Sequence, residues 1–250
     1  MCNQWPLFAP IKISFDRERL KKEILYSKIL NEGFLATSHL KDNKNFWDNG
    51  TNFKSQEFIK QLKVPLWSDE NRQSLIKKDI DTFYQINLTE FSNEAITDVW
   101  EGKHQDKTKI PLWIKNDFSW KLRKDFQFPY LKKVLDSLGL NYFSMIRIVY
   151  QIPPSIGLIH KDSGPKTNLE YYNNGGVGIT LNVSSGGGNL YFVNSQGQEI
   201  TVDEDNICIW HFDDSALHCT NEVTSERIQI RIYGNHSNYR ELMDLTGVIF

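Results

Sequence analysis

Two periodicities divide the chain. In the first 140 residues or so, apolar positions recur at helical spacing. Leu20, Ile24, Leu25, Ile29 and Leu30 follow Asp16, a candidate N-cap, and the run stops at Gly33. Leu75, Ile76, Ile80, Phe83 and Tyr84 repeat the pattern after Ser68, and Ala95, Ile96, Val99 and Trp100 repeat it after Ser92. A short helix is predicted from Pro129 near its first position, through Leu131, Val134, Leu135 and Leu138, to a stop at Gly139. Such stripes mark amphipathic helices that bury one face against another element.

From Tyr142 the period shortens to two. Ile146, Ile148 and Tyr150 alternate with Arg147, Val149 and Gln151 until Pro153-Pro154 ends the run. Further strands are predicted over 178–183, 189–193, 199–202, 207–212 and 227–233. In the last, Ile228, Ile230 and Ile232 fall on one side and Arg227, Gln229, Arg231 and Tyr233 on the other. The run Ser184-Ser185-Gly186-Gly187-Gly188 is followed by no Lys-Ser, Lys-Thr or helix, which argues against a phosphate loop and for a hairpin turn. Short antiparallel strands with one polar inner face predict a mainly β protein with flanking helices, its core a double-sheet jelly roll. The expected division is a helical or mixed N-terminal region over 1–140, a β core over 141–235 and a C-terminal tail over 236–250.

Composition narrows the class. The 250 residues are 40% hydrophobic and 24% charged, ordinary values for a globular protein. With 29 basic and 31 acidic side chains the net charge is −2, so no global field favours nucleic acid or an anionic membrane. Between Lys103 and Lys133 basic residues are in excess and Trp113 and Trp120 are interleaved, but Asp106, Asp117 and Asp125 make a solvated face the better reading than a strand-binding groove. Met1-Cys2-Asn3-Gln4-Trp5-Pro6 does not resemble a secretory leader, and the apolar runs are too short to span a bilayer. Cys2, Cys208 and Cys219 are scattered and odd in number, which argues against a disulfide framework or a thiolate zinc site. The expected compartment is the cytoplasm, and the Asn-x-Ser/Thr triplets at Asn87, Asn182 and Asn235 are read as chance.

Candidate chemistry lies in the β half. His160 and Asp162, two positions apart, with His218 far downstream, can occupy one triangular face of an octahedral metal ion. The opposite face then stays open, as non-haem Fe(II) oxygenases need in order to admit a bidentate co-substrate and dioxygen together. Arg227, nine positions after His218, suits an anionic co-substrate. Arg227 and Arg231 are also candidates for cross-strand salt bridges, and His218 for a core histidine. The two arginines lie ~13 Å apart along one strand face, too far to grip the same carboxylate. The co-substrate is therefore assigned to Arg227, and Arg231 is left to substrate or structure. His211 is read as structural, His236 as a remote alternative ligand, and His39 and His104 as surface residues. Asp213, Asp214 or Ser215 could orient the His218 ring, and Arg147, Asn168, Tyr171 and Tyr172 are candidate substrate contacts.

His160-x-Asp162, the turn and strand Gly187-Gly188-Asn189-Leu190-Tyr191-Phe192, then His218 and Arg227 resemble the Fe(II)/2-oxoglutarate-dependent dioxygenase superfamily over roughly 142–234. Phe212-Asp213-Asp214-Ser215-Ala216-Leu217-His218, with Asn221 and Arg227-Ile228 after it, is similar to its aspartyl/asparaginyl and proline hydroxylase branch. The resemblance implies a double-stranded β-helix of the jelly-roll or cupin kind. It implies iron held by His160, Asp162 and His218, and 2-oxoglutarate anchored through Arg227, with ascorbate as a possible reductant. The implied activity is hydroxylation of an unactivated C–H bond in an amino acid, a peptide side chain or a small molecule, consuming dioxygen. The rival expectation is a non-catalytic jelly-roll module that binds a carboxylate ligand. No nucleic-acid or membrane partner is expected.

Overall fold

The computed structural model describes residues 7–27, 34–35, 84–91, 120–153 without 125, 155, 176–204 without 195, 209–212, 216–238 and 241–242. Asp16 begins the first helix, α1 (Arg17–Leu25), as its spacing predicts: its carboxylate accepts a hydrogen bond from the Arg19 amide at 2.9 Å. Leu20 and Ile24 are fully buried. The helix ends before Ile29 and Leu30, because Tyr26 closes it and the Ser27 amide and hydroxyl both bond to the Ile24 carbonyl. Residues 28–33 lie outside the described set. A second helix, α2 (Pro129–Ser137), starts at its proline and ends before Gly139, whose φ of 64° suits glycine. Its N-terminal amides are capped from α1: the Glu23 carboxylate accepts from Tyr130 at 2.7 Å and from Leu131 at 2.8 Å.

The rest is mostly antiparallel sheet. From the N-terminal half come β1 (Phe8–Pro10), β2 (Phe34–Leu35), β3 (Tyr84–Asn87), β4 (Thr89–Phe91) and β5 (Trp120–Leu122). From the C-terminal half come β6 (Tyr142–Gln151), β7 (Gly176–Ser184), β8 (Leu190–Val193), β9 (Glu199–Thr201), β10 (Ile209–Phe212), β11 (Leu217–Thr220) and β12 (Arg227–Asn235). A large sheet runs β1-β10-β7-β12-β6-β3-β2, a small one β11-β8-β9, and β4 pairs with β5 as a ribbon.

Two expectations are corrected here. Tyr84 does not end a helix; it lies in β3 opposite Tyr150, where a β-propensive aromatic pairs across the sheet. The remainder of that stripe, the stripe at 95–100 and the basic stretch 103–119 lie outside the described residues. Residues 184–188 are not a hairpin turn, because β7 belongs to the large sheet and β8 to the small one. They carry the chain between sheets. β1 and β3 also enter the large sheet directly, beside β10 and β6, so the N-terminal half supplies strands as well as helices.

Alternation then sorts the large sheet into two faces. Ile146 and Ile148 of β6, Val177, Ile179, Leu181 and Val183 of β7, and Ile228, Ile230 and Ile232 of β12 pack with the buried faces of α1 and α2. The opposite face carries Arg147, Gln151, Thr180, Asn182, Arg227, Gln229 and Arg231. The small sheet packs on that second side, where Phe8 of β1 stacks on Phe192 of β8 at a centroid distance of 5.9 Å. Leu190 and Val202 complete this smaller apolar cluster. Among the described residues no helix is long and apolar enough to cross a membrane.

The crossing at 184–188 depends on glycine in a way a substitution can read. Gly186 has φ 62°, and a Cβ there would sit 2.6 Å from the Ser225 carbonyl oxygen and 2.7 Å from the Arg227 Cβ. Gly186→Ala should cost about 1–2 kcal/mol for the left-handed backbone and about 1–3 kcal/mol more for overpacking. Gly197→Ala has φ 76° and meets nothing within 4 Å; it should cost only the backbone share of about 1–2 kcal/mol. Urea unfolding of the two variants checks the difference.

Candidate active site

His218 sits in β11 directly opposite Phe192 and is 2% exposed. Its Nδ1 lies 2.9 Å from the Ala216 carbonyl oxygen. A carbonyl only accepts, so Nδ1 carries the hydrogen, and in the neutral ring the lone pair resides on Nε2. Nε2 is itself buried. The Phe192 ring lies 5.8 Å away, tilted at 46°, and fixes the other side of the imidazole. A histidine oriented through a backbone carbonyl at one nitrogen is suited to donate to a metal through the other. This is the fit that one metal ligand requires.

His160 and Asp162 lie outside the described residues, as do Asn168, Tyr171, Tyr172, Asp213, Asp214, Ser215, His39 and His104. Among the described residues no three His, Cys, Asp or Glu side chains gather as a metal site. Ser155, just past β6, accepts a hydrogen bond at its carbonyl from the Val223 amide, five positions after His218. Of the other histidines, His211 occupies a register position between Ala9 and Ile179, and His236 accepts from the Asn238 amide at 3.0 Å in the turn after β12. Cys219 is buried next to His218, opposite Tyr191; burial, then a hydrogen bond with Cys219, pushes the Tyr191 phenol well above its ordinary value, so it stays neutral.

Arg227 opens β12 opposite Gln151 and is 2% exposed. Its guanidinium is engaged by Glu204, which is fully buried. Nη2 donates to Oε1 at 2.7 Å and Nε to Oε2 at 3.3 Å, a fork on both carboxylate oxygens. Nη1 donates to the Gln151 side-chain oxygen at 2.6 Å, and Gln151 in turn donates to Ser155. Glu204 Oε1 also accepts from the Leu190 amide at 2.9 Å and from Gln229 at 3.2 Å. Its carbonyl accepts from Arg17 at 2.5 Å and from the Asn182 side chain. Glu204 thus ties α1, β7, β8 and β12 together, and Arg227 extends the network to β6 through Gln151. The sequence had no signal for this role, since Asp203-Glu204-Asp205 reads as a solvated acidic loop.

Two further arginines stand opposite one another in the large sheet. Arg231 pairs in register with Arg147 of β6 on one side and Thr180 of β7 on the other, and its Nη2 donates to the Tyr233 hydroxyl at 2.8 Å.

No protein-family model matches the sequence, and no curated protein matches it. Several solved structures are similar to part of it. A Pseudomonas putida prolyl-4-hydroxylase is 17% identical over 46% of this chain and 69% of its own, with a TM-score of 0.36. An oxidoreductase of the 2OG-Fe(II) oxygenase family from Burkholderia pseudomallei is 11% identical over 62% of this chain and 69% of its own, with a TM-score of 0.39. A structure of DMSP lyases is 11% identical over 36% of this chain and 38% of its own, with a TM-score of 0.23. Overlaps this partial leave the functional reading to the residues and topology.

The Arg227–Glu204 pair gives a direct test of its structural part. Glu204→Leu strands a buried guanidinium and should destabilise the fold by about 3–5 kcal/mol. Adding Arg227→Met should restore most of that loss, because an apolar pair avoids desolvating either charge. Equilibrium unfolding of the single and double variants checks both signs.

Proposed function

We propose that this chain is an Fe(II)- and 2-oxoglutarate-dependent oxygenase. It hydroxylates an unactivated C–H bond of an amino acid or peptide side chain of the proline, asparagine or aspartate type. The observation that carries the reading is His218: its Nδ1 is fixed by the Ala216 carbonyl and its Nε2 is buried. The strand order supports a double-stranded β-helix core. From β7 onward the chain passes from the large sheet to the small one at β8 and β9, back at β10, over again at β11 and back at β12. Alternation between two facing antiparallel sheets is the jelly-roll pattern.

In this reading His160, Asp162 and His218 hold the metal. When bound, such a centre supplies the coupled chemistry in which 2-oxoglutarate is oxidised to succinate and carbon dioxide while one oxygen atom enters the substrate C–H bond. The chain's own residues do the positioning. Ala216 keeps the proton on Nδ1, Phe8 and Phe192 exclude water from the His218 side, and the inner face offers cations to acidic groups. Arg227 receives the distal carboxylate of the co-substrate only by exchanging it for Glu204, which already occupies the fork. That commitment weighs equally on the alternative, a non-catalytic jelly-roll module binding a carboxylate ligand, because the same fork would have to be vacated.

Anaerobically purified protein given Fe(II), 2-oxoglutarate, ascorbate and oxygen is expected to form succinate. His160→Ala, Asp162→Ala and His218→Ala should each lower the rate by more than about 100-fold, beyond the roughly 10–100-fold loss typical of residues that only support a metal ligand. Adding a chelator before Fe(II) should do the same. Wild-type protein that binds neither Fe(II) nor 2-oxoglutarate in calorimetry would leave the binding module as the function.

A further inference from the structure

Two polar atoms of β7 stay outside the hydrogen bonding that surrounds Arg227. Thr180 and Asn182, two positions apart, project from the face of the strand opposite to Ile179, Leu181 and Val183, which pack with the helices. Thr180 is 1% exposed and Asn182 0%. The Thr180 hydroxyl and the Asn182 side-chain oxygen meet no hydrogen-bond partner among the described residues. Buried groups in that condition call for a partner from elsewhere.

The chemistry of the pair restricts what that partner can be. The Asn182 amide nitrogen donates to the Glu204 carbonyl. Turning the amide over would set oxygen against that carbonyl oxygen, so the nitrogen is held towards Glu204 and the oxygen away from it. An amide oxygen only accepts, and whatever meets it must bring an N–H or O–H. The threonine hydroxyl is free to donate in its turn. Side chains two residues apart on one strand face are separated by ~7 Å. A single planar group bearing a donor and an acceptor spans that distance through two hydrogen bonds of ~2.9 Å. A carboxamide is such a group, its N–H meeting Asn182 and its oxygen accepting from Thr180. A carboxylate is not, because it would set a charged oxygen against the Asn182 oxygen. The guanidinium groups nearby are not drawn on: Arg227 is held by Glu204 and Arg231 by Tyr233.

We infer that Thr180 and Asn182 form a carboxamide-binding site that selects the substrate side chain and takes no part in holding the co-substrate carboxylate. The site narrows the proline, asparagine and aspartate set to the asparagine type. It rests on the oxygenase reading only in taking the bound carboxamide as part of a substrate. A site built to hydrogen-bond an N–H rejects the analogue that lacks it, because its buried polar atom is then left unpaired. Free asparagine and asparagine within a peptide carry the same group.

The experiment is calorimetry on the full chain, with Mn(II) and 2-oxoglutarate present to prevent turnover and again without either. Free asparagine and the tripeptide Gly-Asn-Gly are titrated against aspartate and Gly-Asp-Gly, which separates the two sources. At least one asparagine ligand should bind more than about tenfold tighter than its aspartate counterpart. Thr180→Val should weaken that ligand about fivefold, the worth of one hydrogen bond. It should leave the affinity for 2-oxoglutarate unchanged and should not lower the thermal midpoint of the ligand-free protein, since the hydroxyl removed has no partner there to lose. Thr180→Ser should retain the affinity. Asn182→Leu should abolish the preference for asparagine; where it does not fold, the two threonine variants carry the test. Wild type that binds neither asparagine ligand, or binds aspartate as well, overturns the site. So does a Thr180→Val loss confined to 2-oxoglutarate, or a lowered midpoint with unchanged asparagine affinity, which would mark an internal water. Asparagine binding without succinate formation would keep the site and remove the oxygenase reading, and succinate formation without the asparagine preference would do the reverse.

Discussion

The ion pair between Arg227 and Glu204 is the constraint around which the inner face is arranged. Both side chains are removed from water, and each charge would carry a large desolvation penalty alone. Together they satisfy one another, and the remaining donors and acceptors are taken up by Gln151, Gln229, the Leu190 amide, Arg17 and Asn182. The contacts bring the start of β12, the end of β6, the middle of β7, the first residue of β8 and the turn after β9 to one point. The two sheets are therefore held in place by a polar knot as well as by the Phe8–Phe192 stack. Fully satisfied networks of this sort specify one arrangement of a core more strictly than apolar packing does.

Much of the scaffold was legible because the chemistry that sets it is local. The N-cap of Asp16, the proline and glycine that bracket α2, and the alternation in β6 and β12 depend on near neighbours in sequence, and each appears where the spacing placed it. Tyr84 and the glycine run failed for the opposite reason. A stripe that reads as a helix can end in a strand when β6 offers a pairing edge, and three glycines look the same whether a chain folds back on itself or passes to another sheet. The short reach of β2, β4 and β5 left too few alternations to register against the helical pattern.

At the site, residue type was readable and partnership was not. The histidine at 218 and the arginines of β12 stood out from their spacing, and the salt-bridge alternative for Arg227 was visible in principle. Its partner was not, because Glu204 lies 23 residues upstream in an acidic loop whose burial is a tertiary fact. His160 and Asp162, whose spacing means little without the strands and the histidine that follow, fall outside the described residues.

β1 does two jobs with three residues. It pairs with β10 along the rim of the large sheet, and through Phe8 it also roofs the aromatic wall that shields His218. Among the described residues β1 ends the large sheet, and its Pro10 cannot donate to a further strand. The end of the large sheet and the aromatic cover of His218 therefore depend on the same short segment. Loosening β1 would unpair β10 and admit water to the imidazole in one event, so the order of the sheet's end and the dryness of the histidine pocket rise and fall together.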